Sequence, residues 1–148
     1  MMTPDEINQI HTSFELLKGK TELFAALFYE RLFMINPSLR MMFRGDMTEQ
    51  GKKLMSTMLV LNASLEHFAV LRPTLQLMGA QHAQYGVRPG HYRTVATAVL
   101  QTLEQFAGPR FDEPLCQAWT KLLGLVADEM LCGAAQADTV DIFTAAHS

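Results

Sequence analysis

A chain of 148 residues is the length of one domain, and on folding it can bury roughly 70% of its unfolded surface, enough for a single apolar core. Apolar residues make up 49% of it, with ten Met and nine Phe, yet no uninterrupted apolar run approaches the roughly 20 residues that span a bilayer, and MMTPDEINQI has neither the basic cluster nor the apolar centre of a targeting peptide. With a net charge of −3 and twelve scattered basic residues there is no electrostatic footprint for nucleic acid or a membrane surface, so a soluble cytoplasmic protein is expected.

Thr3-Pro4-Asp5-Glu6 has the form of a capping box with proline in the first turn, and predicts a helix to about Leu17, where Lys18-Gly19-Lys20 breaks it. TELFAALFYERLFMI, from Thr21 to Ile35, is apolar on nearly every side and predicts a central second helix. Asn36-Pro37 caps a short third helix ending near Phe43, and Arg44-Gly45-Asp46 is a loop. From Met47 or Thr48 to about Phe68, the stripe Gln50, Leu54, Met58, Leu61 and Leu65 predicts one long helix. Pro73 to Tyr85 is the next, with Gly86 as its left-handed terminator and VRPG as the turn beyond. His91 to Ala107 stops at Gly108-Pro109. Asp112 then caps a run to about Ala137, after which DTVDIFTAAHS has weak periodicity and is expected to be a loose tail. There is no strand-like alternation and no internal repeat, so the fold class is all-α, with about seven helices in one domain.

The two cysteines, Cys116 and Cys132, fall in one predicted helix about 24 Å apart at 1.5 Å per residue, which forbids a disulfide between them. Neither has a Cys or His at metal-ligand spacing, so both are read as structural thiols.

Of five histidines, only His82 sits within an apolar stripe, that of Leu71, Leu75, Met78, His82 and Tyr85. An imidazole aimed into a core needs either a hydrogen-bond partner or a metal, and spacing alone leaves both open. Tyr29 is flanked at helical spacing by Ala25, Ala26, Leu32 and Phe33, so its phenol also points into apolar surroundings and needs a polar partner. Gln50 begins an apolar stripe and can turn its amide inward. These groups describe either a Tyr–Gln brace between two helices or a cofactor pocket.

Taken in order, LFYERLF, NPSLRMMF, EQGKKLM, QHAQYGV followed by HY, and AWTKLLGLVAD resemble single-domain bacterial haemoglobins of the Vitreoscilla type and the globin part of flavohaemoglobins. The resemblance covers residues 4–137. It includes the spacing of fourteen residues from Tyr29 to Phe43, seven to Gln50 and thirty-two to His82.

That resemblance implies a globin fold around haem b with His82 as the proximal iron ligand. It implies further that Phe43 packs on the distal haem face, that Tyr29 and Gln50 lie above the iron as the reactive pair, and that Leu54 walls the ligand space. Met78, Val87 and Tyr92 would contact the cofactor on the proximal side, and Lys53 would either reach a haem propionate or stay solvated. Iron that donates electron density to O2 leaves negative charge on it, so a phenol donor in a dry pocket favours O2 over CO. The family's flavohaemoglobin-like members carry a glutamate that bonds the tyrosine matching Tyr92. Here Ala134 stands in its place, with Asp138 one turn on as a substitute.

The implied function is reversible O2 binding, with O2, NO and CO as ligands, and dioxygenation of NO to nitrate. No flavin or nicotinamide segment occurs in these 148 residues, so a separate flavin or ferredoxin-type reductase is the expected partner, and the protein is expected to be a monomer or homodimer. The rival readings are a non-catalytic oxygen store, carrier or gas sensor, and a haem-free helical interaction module.

Overall fold

Thr3 opens the first helix with the reciprocal pair that its spacing predicts. Its hydroxyl accepts from the Glu6 N–H at 3.2 Å, and the Glu6 carboxylate accepts from the Thr3 N–H at 2.7 Å. In this computed structural model, which describes the backbone of residues 1–147 and the side chains of residues 1–137, that helix, α1, spans Pro4–Leu17. It is followed by α2 (Thr21–Ile35), α3 (Met47–Ala63), α4 (Arg72–Gln84), α5 (Pro89–Ala107) and α6 (Glu113–His147). Short 3-10 runs fill Pro37–Met42, Leu65–Leu71 and Gly108–Arg110. The expected seven helices are these six and the 3-10 run Pro37–Met42, which Asn36 caps by accepting from the Ser38 N–H at 3.2 Å.

The core is where α1, α2, α5 and α6 meet. Ile10, Phe14 and Leu17 of α1 join Phe24, Phe28 and Leu32 of α2, Val99 and Leu103 of α5, and Trp119 and Leu122 of α6, all buried. Each such side chain contributes about 1.5–3 kcal/mol by leaving water. The buried indole is satisfied: Trp119 Nε1 donates to Ser13 Oγ at 2.9 Å, and Ser13 Oγ donates to the Ile10 carbonyl at 2.6 Å. α2 is less enclosed than its composition predicts. Leu23, Met34 and Ile35 are exposed, so its apolar excess is spread over a buried face and an open one.

Three boundaries differ from the periodicity. The helix predicted to reach Phe68 ends at Ala63, and the chain turns through Leu65–Leu71, with His67 at a non-helical φ of −132° and ψ of 45°. The helical path bends by 114° there, while Leu65, Phe68 and Leu71 stay buried. The buried residues Leu65, Phe68 and Leu71 follow one another at a spacing of three, which an α-helical stripe also contains, so the apolar pattern carries on past Ala63 with no sign of the turn. α5 begins two residues early, with Pro89 in its first turn. α6 continues to His147 in place of a loose tail, since no Gly or Pro follows Gly133 to stop it.

α4 crosses α6 at close range. A methyl group on Gly79 would overlap the main chain of Met130, and one on Gly133 would overlap that of Gln76, so only glycine fits at either position. Cys116 is half-buried, Cys132 exposed, and both are free thiols. Among the described residues no single helix is long and apolar enough to cross a membrane.

Candidate functional site

His82 lies in the last turn of α4, half-buried, with its Nδ1 2.7 Å from the carbonyl of Met78 one turn earlier. A carbonyl can only accept, so Nδ1 donates, and in the neutral imidazole the lone pair is then on Nε2. Among the described residues nothing bonds to Nε2. The main chain of His82 is held as well: its carbonyl accepts from the Tyr85 N–H at 3.1 Å and the Val87 N–H at 3.0 Å, in the turn where Gly86 has a φ of 93°. Tyr85 itself is 75% exposed. It leaves the stripe in which periodicity places it because α4 ends at Gln84 and the turn carries its ring outward.

A second group forms between α2 and α3. The Tyr29 ring meets Phe28 edge-on at 5.0 Å, Phe43 edge-on at 5.3 Å and Phe33 in a stack at 6.0 Å. Its hydroxyl donates to the main-chain carbonyl of Gln50 at 3.4 Å, and not to the amide that a Tyr–Gln brace would use. Burial among these rings pushes the phenol up to about 12. It is therefore neutral and a donor at any physiological pH. Gly51, buried against the methyl of Ala25, allows α3 to approach α2 closely enough for this contact.

The remaining candidate residues stand as follows. Leu54 and Met78 are half-buried against the core. Val87 is half-buried and linked to His82 by its amide. Lys53 is exposed and has no ion pair among the described residues. Tyr92 of α5 is half-buried, burial raises its phenol pKa, and among the described residues its hydroxyl has no hydrogen-bond partner. Ala134 is half-buried and offers no polar side chain, and the side chain of Asp138 lies outside the described residues. Direct contacts thus unite Tyr29, Phe43 and Gln50 in one group and Met78, His82 and Val87 in another. Spacing places Phe33 one turn from Tyr29 only as an apolar neighbour, and it gives Arg40 no role. Phe33 joins the first group by touching both Tyr29 and Phe43, and the Arg40 guanidinium lies 5.3 Å from the Phe33 ring centre.

This donor set tests what the site can hold. Among the described residues no group of three or more His, Cys, Asp or Glu side chains converges on a metal position. A lone imidazole with a free Nε2 could supply one ligand, so a metal held there would need its other ligands from a macrocycle, and half-buried apolar and aromatic side chains would suit the faces of a porphyrin. The residues present fit haem.

The comparisons with known proteins agree. Residues 26–130 match the family described as Globin. A flavohemoprotein of Vibrio cholerae is 28% identical over 123 residues, which are 81% of this chain and 31% of that protein. A flavohemoprotein of Bacillus subtilis is 26% identical, over 88% of this chain and 34% of that protein. The chain thus spans about a third of the length of these relatives. By contrast, an uncharacterized globin-like protein of Aquifex aeolicus is 26% identical, and the match covers 88% of this chain and 93% of that one. Among solved structures, an engineered carbene transferase from Rhodothermus marinus superposes with a TM-score of 0.84 at 24% identity, covering 95% of this chain and 98% of that one. A bacterial globin from Campylobacter jejuni gives 0.78 at 24% identity, covering 90% and 97%. An all-α chain with this helix order, a histidine bonded to leave Nε2 free and a family match over most of its length belongs to the globins, a haem-binding family.

Proposed function

We propose that this globin holds haem b through Nε2 of His82, binds O2 reversibly under the Tyr29 phenol, and dioxygenates NO when a separate flavin or ferredoxin-type reductase supplies electrons. Residues 1–148 would form one domain, working in the cytoplasm. The observation that carries the proposal is the one-sided bonding of His82, whose Nδ1 is committed to the Met78 carbonyl at 2.7 Å. Haem bound there would supply an iron centre for O2, and in its reduced form the overall conversion of NO, O2 and one electron to nitrate.

The chain's own residues set the environment for that chemistry. Met78 fixes the imidazole tautomer and makes the ring a better donor. Tyr29 offers a neutral hydroxyl whose resting bond, at 3.4 Å to the Gln50 carbonyl, is weak enough to exchange for a negatively charged acceptor. The Gln50 amide serves as a second donor or orients the phenol. Phe43 and Leu54 exclude water, which preserves the strength of those hydrogen bonds. Lys53, which is exposed, would either reach a haem propionate or stay solvated, and Val87 and Tyr92 would line the His82 side.

Reconstitution with haem and a visible spectrum test the reading. A Soret band is expected, with reversible change on reduction and exposure to O2, and loss or rearrangement of that spectrum in His82→Ala. An unchanged O2-binding spectrum in His82→Ala would exclude His82 as the ligand. Nitrate formation on NO challenge with a reductase then separates a dioxygenase from an oxygen store, carrier or sensor.

A further inference from the structure

We infer that Phe33 is the positioning residue for the Tyr29 phenol, acting through a closed triangle of rings with Phe43 that the Arg40 guanidinium caps. The inference rests on the proposed role of Tyr29 as the donor to bound O2. Phe33 follows Tyr29 by one turn of α2, and the two rings stack at 6.0 Å with 26° between their planes. Phe43 arrives from the end of the 3-10 run and meets both edge-on, at 5.3 Å and 73° to Tyr29 and at 5.4 Å and 67° to Phe33. Edge-to-face and offset arrangements are the geometries that ring quadrupoles favour, so each ring restricts the tilt of the other two. Arg40 places its guanidinium 5.3 Å from the Phe33 ring centre, within cation–π range, which tethers that ring.

The hydroxyl cannot fix itself. Its bond to the Gln50 carbonyl is 3.4 Å long, at the outer edge of hydrogen bonding, so the aromatic contacts hold the ring at the height where a ligand meets it. Loss of the Phe33 ring frees Tyr29 to tilt and admits water beside it.

The experiment compares haem-loaded wild type, Tyr29→Phe, Phe33→Leu, Phe33→Met and Phe33→Tyr. In Phe33→Leu, O2 dissociation is expected to quicken roughly three- to tenfold while CO dissociation changes by less than about twofold. Phe33→Tyr, which keeps the ring, restores the wild-type rate. Adding Phe33→Leu to Tyr29→Phe changes O2 dissociation by less than about twofold, because the phenol it positions is gone. In the haem-free protein, a rapid pH jump followed by ultraviolet absorbance should show the Tyr29 phenol, identified by its loss in Tyr29→Phe, titrating lower in Phe33→Leu than in wild type, because the lost ring leaves it less buried. Should Phe33→Leu fold poorly, Phe33→Met carries the same test with similar volume and no ring. Equal acceleration of both gases, or an equal effect with and without the phenol, would overturn the inference and leave Phe33 a plain wall. If Tyr29→Phe itself leaves O2 dissociation unchanged, the role of Tyr29 falls, and the titration alone then decides whether Phe33 positions its ring.

Discussion

Gly79 on α4 and Gly133 on α6 mark a reciprocal crossing: each takes the place where the other helix's main chain, at Met130 and Gln76 respectively, leaves no room for a methyl group. His82 follows Gly79 by three residues, so this contact sets where the imidazole stands relative to the core. Gly133→Ala must push the helices apart, and overpacking of this kind costs about 1–3 kcal/mol. Urea denaturation of the haem-free protein should show that loss. With His82 as the proposed haem ligand, haem should also dissociate faster from the variant, because α4 is displaced. Unchanged stability and retention would mean that the crossing relaxes freely.

Tyr29→Phe removes the phenol while keeping the ring inside its aromatic contacts with Phe28, Phe33 and Phe43. A hydrogen bond to a partly charged acceptor contributes about 1.5–3 kcal/mol, so O2 dissociation should rise roughly ten- to a hundredfold. CO carries little charge and should leave at nearly its original rate. Flash photolysis and stopped-flow mixing measure both. Matching changes for the two gases would show that the hydroxyl acts only by its bulk.

Much of the helix layout was legible because its signals are local. Thr3 with Glu6, the Lys18-Gly19-Lys20 break and Asn36-Pro37 each satisfy or remove main-chain donors within a few residues, so the bounds of α1 and α2 follow from chemistry visible in the sequence. The turn at Ser64 is not legible, since the i,i+3 spacing of Leu65, Phe68 and Leu71 in the 3-10 run also fits an α-helical stripe. The same division holds at the candidate site. His82 and Tyr29 stand out as polar groups on apolar stripes, whereas the closeness of Gly79 and Gly133 exists only once α4 and α6 meet, and the ring triangle of Phe33 only once the 3-10 run turns Phe43 back onto α2. Spacing also pointed to the Gln50 side chain, while the phenol bonds its main chain.

His11 ties α1 to the far end of α3 and to the 3-10 run that leads into α4. Its Nδ1 lies 2.7 Å from Asn62 and its Nε2 2.9 Å from Glu66. The Glu66 hydrogen bond raises the His11 pKa above its ordinary 6.5, partly offset by burial, and Asn62 raises it further. Glu66 is in turn lowered below 4.5, first by its bond to His11. A raised histidine stabilises the fold fully below its unfolded value and loses that contribution as pH rises through the folded value. A lowered carboxylate contributes above its unfolded value and loses its part as pH falls through the folded one. The tie is therefore strongest between 4.5 and 6.5. Thermal melts of wild type and His11→Gln should differ most near pH 5.5 and converge by about pH 8.5. The effect is modest because both partners are substantially exposed. A difference that stays constant across that range would mean that His11 acts by packing alone.

Ala134→Glu supplies the acid that the flavohaemoglobin pattern places at this position, yet it is expected not to improve NO dioxygenation. A carboxylate introduced at a half-buried site costs about 1–3 kcal/mol unless donors already face it, and its neighbours Gly133 and Ala135 have no side-chain donors. Tyr92, half-buried and without a hydrogen-bond partner among the described residues, is the one phenol that the family pattern offers as a donor. Reaching it would require room on a helix already pressed against the main chain of Gln76 at Gly133. Lower stability by about 1–3 kcal/mol is expected, with an iron–histidine stretching frequency close to wild type and no gain in NO consumption with the same reductase. A variant of equal stability with a stiffened iron–histidine bond and faster turnover would show instead that Tyr92 is already placed to receive the acid. The absent carboxylate, and not electron supply, would then be what limits turnover.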